Sequence, residues 1–389
     1  MHLEFSNIPF FEPSNLFEPE LAITAEPEFL KYKPKLVQLK DLWKEYNHFK
    51  NILLIGHGGS VTSFIGIYQT LPTDKNIQIL STVDPDFIQK IKLQFKPAET
   101  LVIAISKSGE TITQIEIVLQ FLNYPLLFIT QKGTVLEQIG QKAKARIISH
   151  PSIGGRYTAF TEVALVPAAI AGLNAEKIFE GGQEMFTKFY QRNIALELAE
   201  IMFALENKGF VDVFMPFYSH ELFSFQSLIV QLCHESFGKE GKGQTYFAHE
   251  APESQHHTNQ RFFGGRKNIA GLFIKLENFK NDLFTNVPTS MHSIAIKDGS
   301  LFELNKIPLS FAMHSEFKGT WEDAKIHGIP IVSLSLSSLS PKEIGSFIAF
   351  WQMFAVYSAL LRNVDPFDQP QVESSKSISW NKRKDFKRE

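Results

Sequence analysis

The chain has 389 residues, enough for two ordinary domains, and at 44% hydrophobic and 21% charged it is globular rather than disordered. A formal net charge of −2 gives no basis for a nucleic-acid partner, and a single cysteine, Cys233, excludes an intramolecular disulfide framework. The start, MHLEFSNIPFFEPSN, puts Glu and Pro where a signal sequence needs an apolar run, and no stretch is expected to reach membrane-spanning length, so the reading is cytoplasmic with no membrane partner.

Residues 1–45 read as an N-terminal arm followed by a helix around LVQLKDLWKEYNHF. Residues 46–190 alternate between β and α. NILLI, IQILS, TLVIAI, PLLFIT and ARIISH are strand candidates with helical segments between them, the pattern of a parallel sheet covered by helices. The segment 154–173 reads as a buried helix opened by Gly-Gly, with Pro167 marking a kink or a boundary. A second alternation fills residues 191–365. Its strands are FVDVFMPF, AGLFIKL, HSIAI and IPIVSLSL, and its helices are LFSFQSLIVQLCHESF and EIGSFIAFWQMFAVYSALL. Residues 366–389 are a polar segment ending in the basic tail NKRKDFKRE. The expected fold class is α/β, with two three-layer domains built on mainly parallel sheets. The 36 phenylalanines read as core filling.

Two strand–turn–helix units carry small polar turns: GHGGS (Gly56–Ser60) after NILLI, and SKSGETIT (Ser106–Thr113) after TLVIAI. Unpaired N–H groups at a helix N-terminus and the helix dipole favour an anion there. An N-cap needs one hydroxyl; the second turn offers Ser106, Ser108, Thr111 and Thr113 around Lys107, which points to a phosphate. GHGGS alone is also compatible with a plain tight turn. It has neither the spacing of a dinucleotide fingerprint nor the GK[ST] of a P-loop. GGRYT supplies Arg156, a fixed positive charge suited to an oxyanion or to a carboxylate. AHEAPESQHHTNQRFFGG carries His249, Glu250, Glu253, His256 and His257, but it lacks an HExxH pattern, so a carboxylate base is the better use and no metal is expected. His314 and the FDQPQVESSK segment, with Gln369 and Lys376, have no assigned role by themselves.

In order, these segments resemble the glucose-6-phosphate isomerase (phosphoglucose isomerase) family, built from two sugar-isomerase domains, over roughly Asn51 to Lys376. GGRYT is close to that family's GGRYS and FDQPQVESSK to FDQPGVELGK. QLCHESFGK looks like QLxMESNGK, ESQHHTNQ resembles the region of the QHS motif, and SKSGET resembles the SKTFTT phosphate loop with Lys107 retained.

The resemblance implies an aldose–ketose isomerase interconverting glucose 6-phosphate and fructose 6-phosphate through a cis-enediol, with no cofactor and no metal. It implies that Gly58, Gly59, Ser60, Ser106, Lys107, Ser108, Thr111 and Gln369 bind the substrate and its phosphate. Glu253 is the implied C2/C1 base, with Glu250 as the alternative, and Arg156 stabilises the enediolate. Lys376 and His314 move protons at ring opening, with His292 as the alternative histidine. The family's histidine crosses from a partner subunit, which implies a homodimer. Two other readings stay open: a bifunctional phosphoglucose/phosphomannose isomerase, to which the SxSGxT turn also corresponds, and a non-catalytic sugar-phosphate sensor.

Overall fold

The computed structural model describes residues 1–9 and 26–386. Residues 10–25 of the expected arm and 387–389 of the tail lie outside the described residues. The chain forms two compact units, one holding residues 1–9, 204–223 and 244–339, the other residues 26–203, 224–243 and 340–386. Strands are numbered in chain order. Strand β1 (His2–Ser6) belongs to the smaller of these units.

The larger unit is built on five parallel strands: β2 (Asn51–Ile55), β3 (Asn76–Leu80), β4 (Thr100–Ser106), β5 (Leu126–Thr130) and β6 (Arg146–Ser149), in the order β3-β2-β4-β5-β6. Strand β4 is buried at every position and β5 likewise, the uninterrupted burial expected where helices cover both faces of a parallel strand. Its core gathers Leu53, Ile55, Val102, Ala104 and Phe128 with Ile91, Ile117 and Phe121 from flanking helices. The chain runs outward from β2 to β3, then returns to place β4 on the other side of β2. That reversal is a topological switch point, where open α/β sheets bind ligands beyond the carboxyl ends of their strands. GHGGS follows β2 and SKSGET follows β4, so both turns leave the two strands that flank the switch point.

The second unit holds β7 (Asp212–Tyr218), β8 (Thr245–Glu250), β9 (Ile269–Leu276) and β12 (Ile331–Leu336), in the order β1-β12-β9-β7-β8. All pairings are parallel except β1 on β12. The core here is strongly aromatic: Phe214, Tyr218, Phe262, Phe273, Phe317 and Trp321 pack together, as the phenylalanine content led one to expect.

Several elements differ from the sequence reading. The start of the chain is not only an arm: His2–Ser6 is a short edge strand with no buried residue. HSIAI is not a sheet strand. Ala295–Ile296 (β10) pairs only with Gly299–Ser300 (β11) in an exposed hairpin. TYFAHE, not among the expected strands, is β8. The helix after GGRYT begins at Glu162, and Pro167 lies inside it rather than at its end. Pro341–Leu361 is long and apolar enough to cross a membrane, against expectation, but 83% of its most apolar window is buried within the protein. This helix and Gln226–Phe237, both read as parts of the second alternation, belong to the larger unit.

Candidate active site

The turn after β4 is fixed by its own hydroxyls. Ser106, 4% exposed, accepts a hydrogen bond from the Gly109 N–H at 3.1 Å, and Ser108 Oγ accepts from the Glu110 N–H at 3.3 Å. Gly109 has a φ of +60°, and a Cβ there would sit 2.4 Å from Thr134 Cβ, so only glycine suits both the backbone and the space. Thr111 caps the helix Ile112–Leu119 by position but makes no side-chain capping bond, so this helix end keeps unpaired N–H donors for a ligand. Lys107 Nζ donates to the Ser152 carbonyl at 2.7 Å.

The turn after β2 meets the GGRYT loop backbone to backbone. A Cβ on Gly59 would lie 2.1 Å from Gly155 C and 2.4 Å from Arg156 N. His57 lies beside Thr113, with Nε2 3.3 Å from the hydroxyl, and burial lowers its pKa.

Arg156 is 2% exposed and spends all five of its N–H donors on the protein. Nε donates to Ser236 Oγ at 2.9 Å, and one terminal nitrogen to Glu235 at 3.1 Å and to Gln369 Oε1 at 2.7 Å. The other donates to the carbonyls of Pro366 at 2.5 Å and Asp368 at 3.1 Å. The guanidinium thus has no donor left over for an enediolate. Because it can only donate, its partner on Gln369 must be the amide oxygen, and the Gln369 NH2 is turned outward as a donor.

Sequence reasoning matched the QLCHESFGK segment to a family motif without assigning roles within it. Its side chains complete this network. Gln231 donates to Glu235 at 2.9 Å and accepts from Thr62 at 3.0 Å, while buried Lys239 reaches the Asp365 and Asp368 carbonyls at 2.5 and 2.8 Å. The i,i+4 spacing of Gln231 and Glu235 on one helix was the available signal.

An open cleft of ≈1530 Å³ is lined by Ser60, Ser106, Lys107, Ser108, Thr111 and Gly155 together with Gln369, Glu373, Lys376 and Trp380. Lys376 is exposed and pairs with Glu373 at 2.7 Å. The structure therefore brings together both turns, Gln369 and Lys376, with Arg156 behind them.

The remaining expected residues belong to the second unit. Glu253 opens a 3-10 turn, Glu253–His256, just beyond β8. Its carboxylate is 2.6 Å from His257 Nε2, and His257 Nδ1 is 2.6 Å from Thr258 Oγ1. Glu250, the last residue of β8, is instead paired with His220 at 2.8 Å, which raises the His220 pKa. Burial lowers the pKa of His249, helped by the neighbouring His257 charge. His314 stands within the helix Leu309–Ile326, with Nε2 3.2 Å from the Glu277 carbonyl. His292 Nε2 is 3.0 Å from the Val287 carbonyl. Among the described residues no group of three or more His, Cys, Asp or Glu is placed to hold a metal.

A switch-point cleft with a hydroxyl-rich turn and an open helix N-terminus defines an α/β protein with a site suited to an anion. The match is closer than that. Residues 40–268 fit the family model described as phosphoglucose isomerase, and the chain belongs to that family. It is 30% identical over 359 residues to a probable glucose-6-phosphate isomerase of Methanococcus maripaludis, covering 86% of this chain and 79% of that one. It is 28% identical over 360 residues to a glucose-6-phosphate isomerase of Methanocaldococcus jannaschii, covering 87% and 86%. The fold is shared with a hypothetical protein of Thermus thermophilus (TM-score 0.83, 22% identity, 93% and 92% of the two chains). It is also shared with a glucose-6-phosphate isomerase of Chlamydia trachomatis (TM-score 0.76, 19% identity, 90% and 73%).

Proposed function

We propose that this protein interconverts glucose 6-phosphate and fructose 6-phosphate. The observation that supports this is the switch-point cleft, lined by the Ser106–Thr111 turn, Gln369 and Lys376, in a member of the phosphoglucose isomerase family. The phosphate sits on the Ser106–Thr111 turn, where hydroxyls and helix N–H groups supply donors and Lys107 supplies charge. Because the phosphate is remote from the reacting carbons, its binding orients the sugar and supplies binding energy to the chemical step. The outward NH2 of Gln369 is a further donor to the substrate.

Lys376 and His314 move protons during ring opening. Glu253 removes the C2 proton of the open-chain aldose, giving a cis-enediol, and returns it to C1, so that the C1 carbonyl becomes a hydroxyl and the C2 hydroxyl a carbonyl. One carboxylate serves both steps because the carbons are adjacent. With its donors occupied, Arg156 acts in this reading as the anchor of Gln369 rather than as a direct partner of the enediolate. The working form is a cytoplasmic homodimer in which the His314 helix is offered to the partner; the family resemblance supports this part of the reading.

The test is turnover of glucose 6-phosphate and of mannose 6-phosphate by purified protein, without added metal, beside Glu253→Gln. Turnover of glucose 6-phosphate that Glu253→Gln abolishes supports the reading. Equal rates on both sugars would replace it with the bifunctional isomerase, and turnover of neither would leave a sugar-phosphate sensor.

A further inference from the structure

The helix Glu373–Phe386 carries Lys376 and buries none of its residues. Fourteen residues with four serines and one asparagine between the charges make a marginal helix in water unless something else holds it. At its root the chain is clamped: Arg156 grips the Pro366 and Asp368 carbonyls, and Lys239 forms an ion pair with Asp368. At its far end Arg383 makes a bidentate pair with Glu116, Nε to Oε1 at 2.6 Å and a terminal nitrogen to Oε2 at 2.9 Å. Glu116 lies one turn into the helix that follows the phosphate turn.

Between the two anchors, Lys376, Trp380 and Arg383 recur at i, i+4 and i+7 and share one stripe of the helix, and all three line the cleft. Lys376 is about 10 Å along the helix axis from the Arg383 anchor. Its placement across the cleft thus depends on both ends being pinned. Among the described residues, the other side-chain pairs of this helix, Lys376 with Glu373, Arg383 with Ser379 and Lys384 over Trp380, are internal to it, and Ser375 donates only to Val372 just before it.

We propose that Arg383, through Glu116, is a positioning residue that fixes Lys376 over the substrate cleft by latching the C-terminal helix to the helix of the phosphate turn. The role of Lys376 in this inference rests on the isomerase reading above; the latch itself does not. The Glu116 and Arg383 side chains pair with each other and not with the phosphate turn's hydroxyls, so their loss is expected to act on turnover mainly through Lys376.

The test compares Glu116→Gln, Arg383→Gln and the charge-swapped pair Glu116→Arg with Arg383→Glu, by hydrogen exchange of residues 373–386 and by steady-state kinetics. Each single variant is expected to speed exchange in this helix by about five-fold, the scale of one well-formed exposed ion pair, with the melting temperature unchanged. Molar salt is expected to speed exchange in the wild type and not in the single variants. The same variants are expected to lower kcat by about five-fold with KM within two-fold, and the swapped pair to recover both readouts. Unchanged exchange in both single variants overturns the latch, whether or not the protein turns over sugar. Faster exchange with unaltered kcat overturns the positioning of Lys376. If the wild type shows no isomerase activity, the isomerase reading falls, while the exchange measurement still decides the latch.

Discussion

Arg156→Lys isolates what the guanidinium fork contributes, because it keeps the charge and removes the geometry. An ammonium has three donors on one nitrogen, so at least two of the five acceptors around Arg156 lose their partner. Bonds to a charged donor are worth about 1.5 kcal/mol or more each, and these lie at a side chain that is 2% exposed, so the expected loss is about 3 kcal/mol. The thermal midpoint should fall by roughly 6 °C. Arg156→Ala, which also leaves Glu235 without its cation, should cost about 3–5 kcal/mol.

The functional readout is kcat/KM for the 6-phosphosugar, expected to fall at least about ten-fold as Gln369 loses its orientation. A double-mutant cycle with Gln369→Ala measures that link directly, with an expected coupling of about 1 kcal/mol. If Arg156→Lys melts within 2 °C of wild type and is additive with Gln369→Ala, then Arg156 is not the anchor of Gln369, and the account of the cleft wall is wrong.

Other outcomes follow from single features. Gly59→Ala drives a Cβ into the Gly155 and Arg156 backbone; it should cost at least about 2 kcal/mol in urea denaturation and weaken inorganic phosphate binding in the same variant. Thr111→Val should raise KM for the 6-phosphosugar several-fold at nearly constant kcat and unchanged melting temperature, since the hydroxyl makes no capping bond. Burial holds the His150 pKa down to about 4, below its ordinary 6.5, so the unfolded chain binds a proton that the folded chain refuses. That stabilisation is complete above pH 6.5 and is lost as pH falls towards 4, on the order of 3 kcal/mol. Urea midpoints measured across that range should show the slope, and His150→Gln should flatten it.

Much of the fold could be read because parallel strands buried on both faces write themselves as apolar runs. NILLI, TLVIAI and PLLFIT are such runs, and all three are strands within a residue or two of the expected ends. The misses have the opposite character. HLEFS is an edge strand whose two apolar residues, Leu3 and Phe5, make no apolar run, and TYFAHE is a partly exposed strand at the other edge of the sheet. HSIAI has the right residue types but protrudes as a two-residue strand, so its β-branched side chains lie exposed in a hairpin. In the candidate site, the hydroxyl-rich turn could be read from local chemistry alone. Glu235 and Lys239 could not, because their function is to hold Arg156 and the 365–368 carbonyls, partners more than seventy and a hundred residues away along the chain.

The Arg156 cluster also orders events in time. Its acceptors at Pro366, Asp368 and Gln369 are made about 210 residues after the arginine itself. At 5–20 residues per second, a ribosome needs roughly 10 to 40 seconds to cover that interval. Throughout it the first sheet can fold and the phosphate turn can close, while a cation destined for burial still waits for most of its partners. The nascent protein therefore passes through a stage with a formed anion cradle and an unfinished wall. Until residues 366–369 arrive, Arg156 lacks three of its five hydrogen bonds, and water stands in for them.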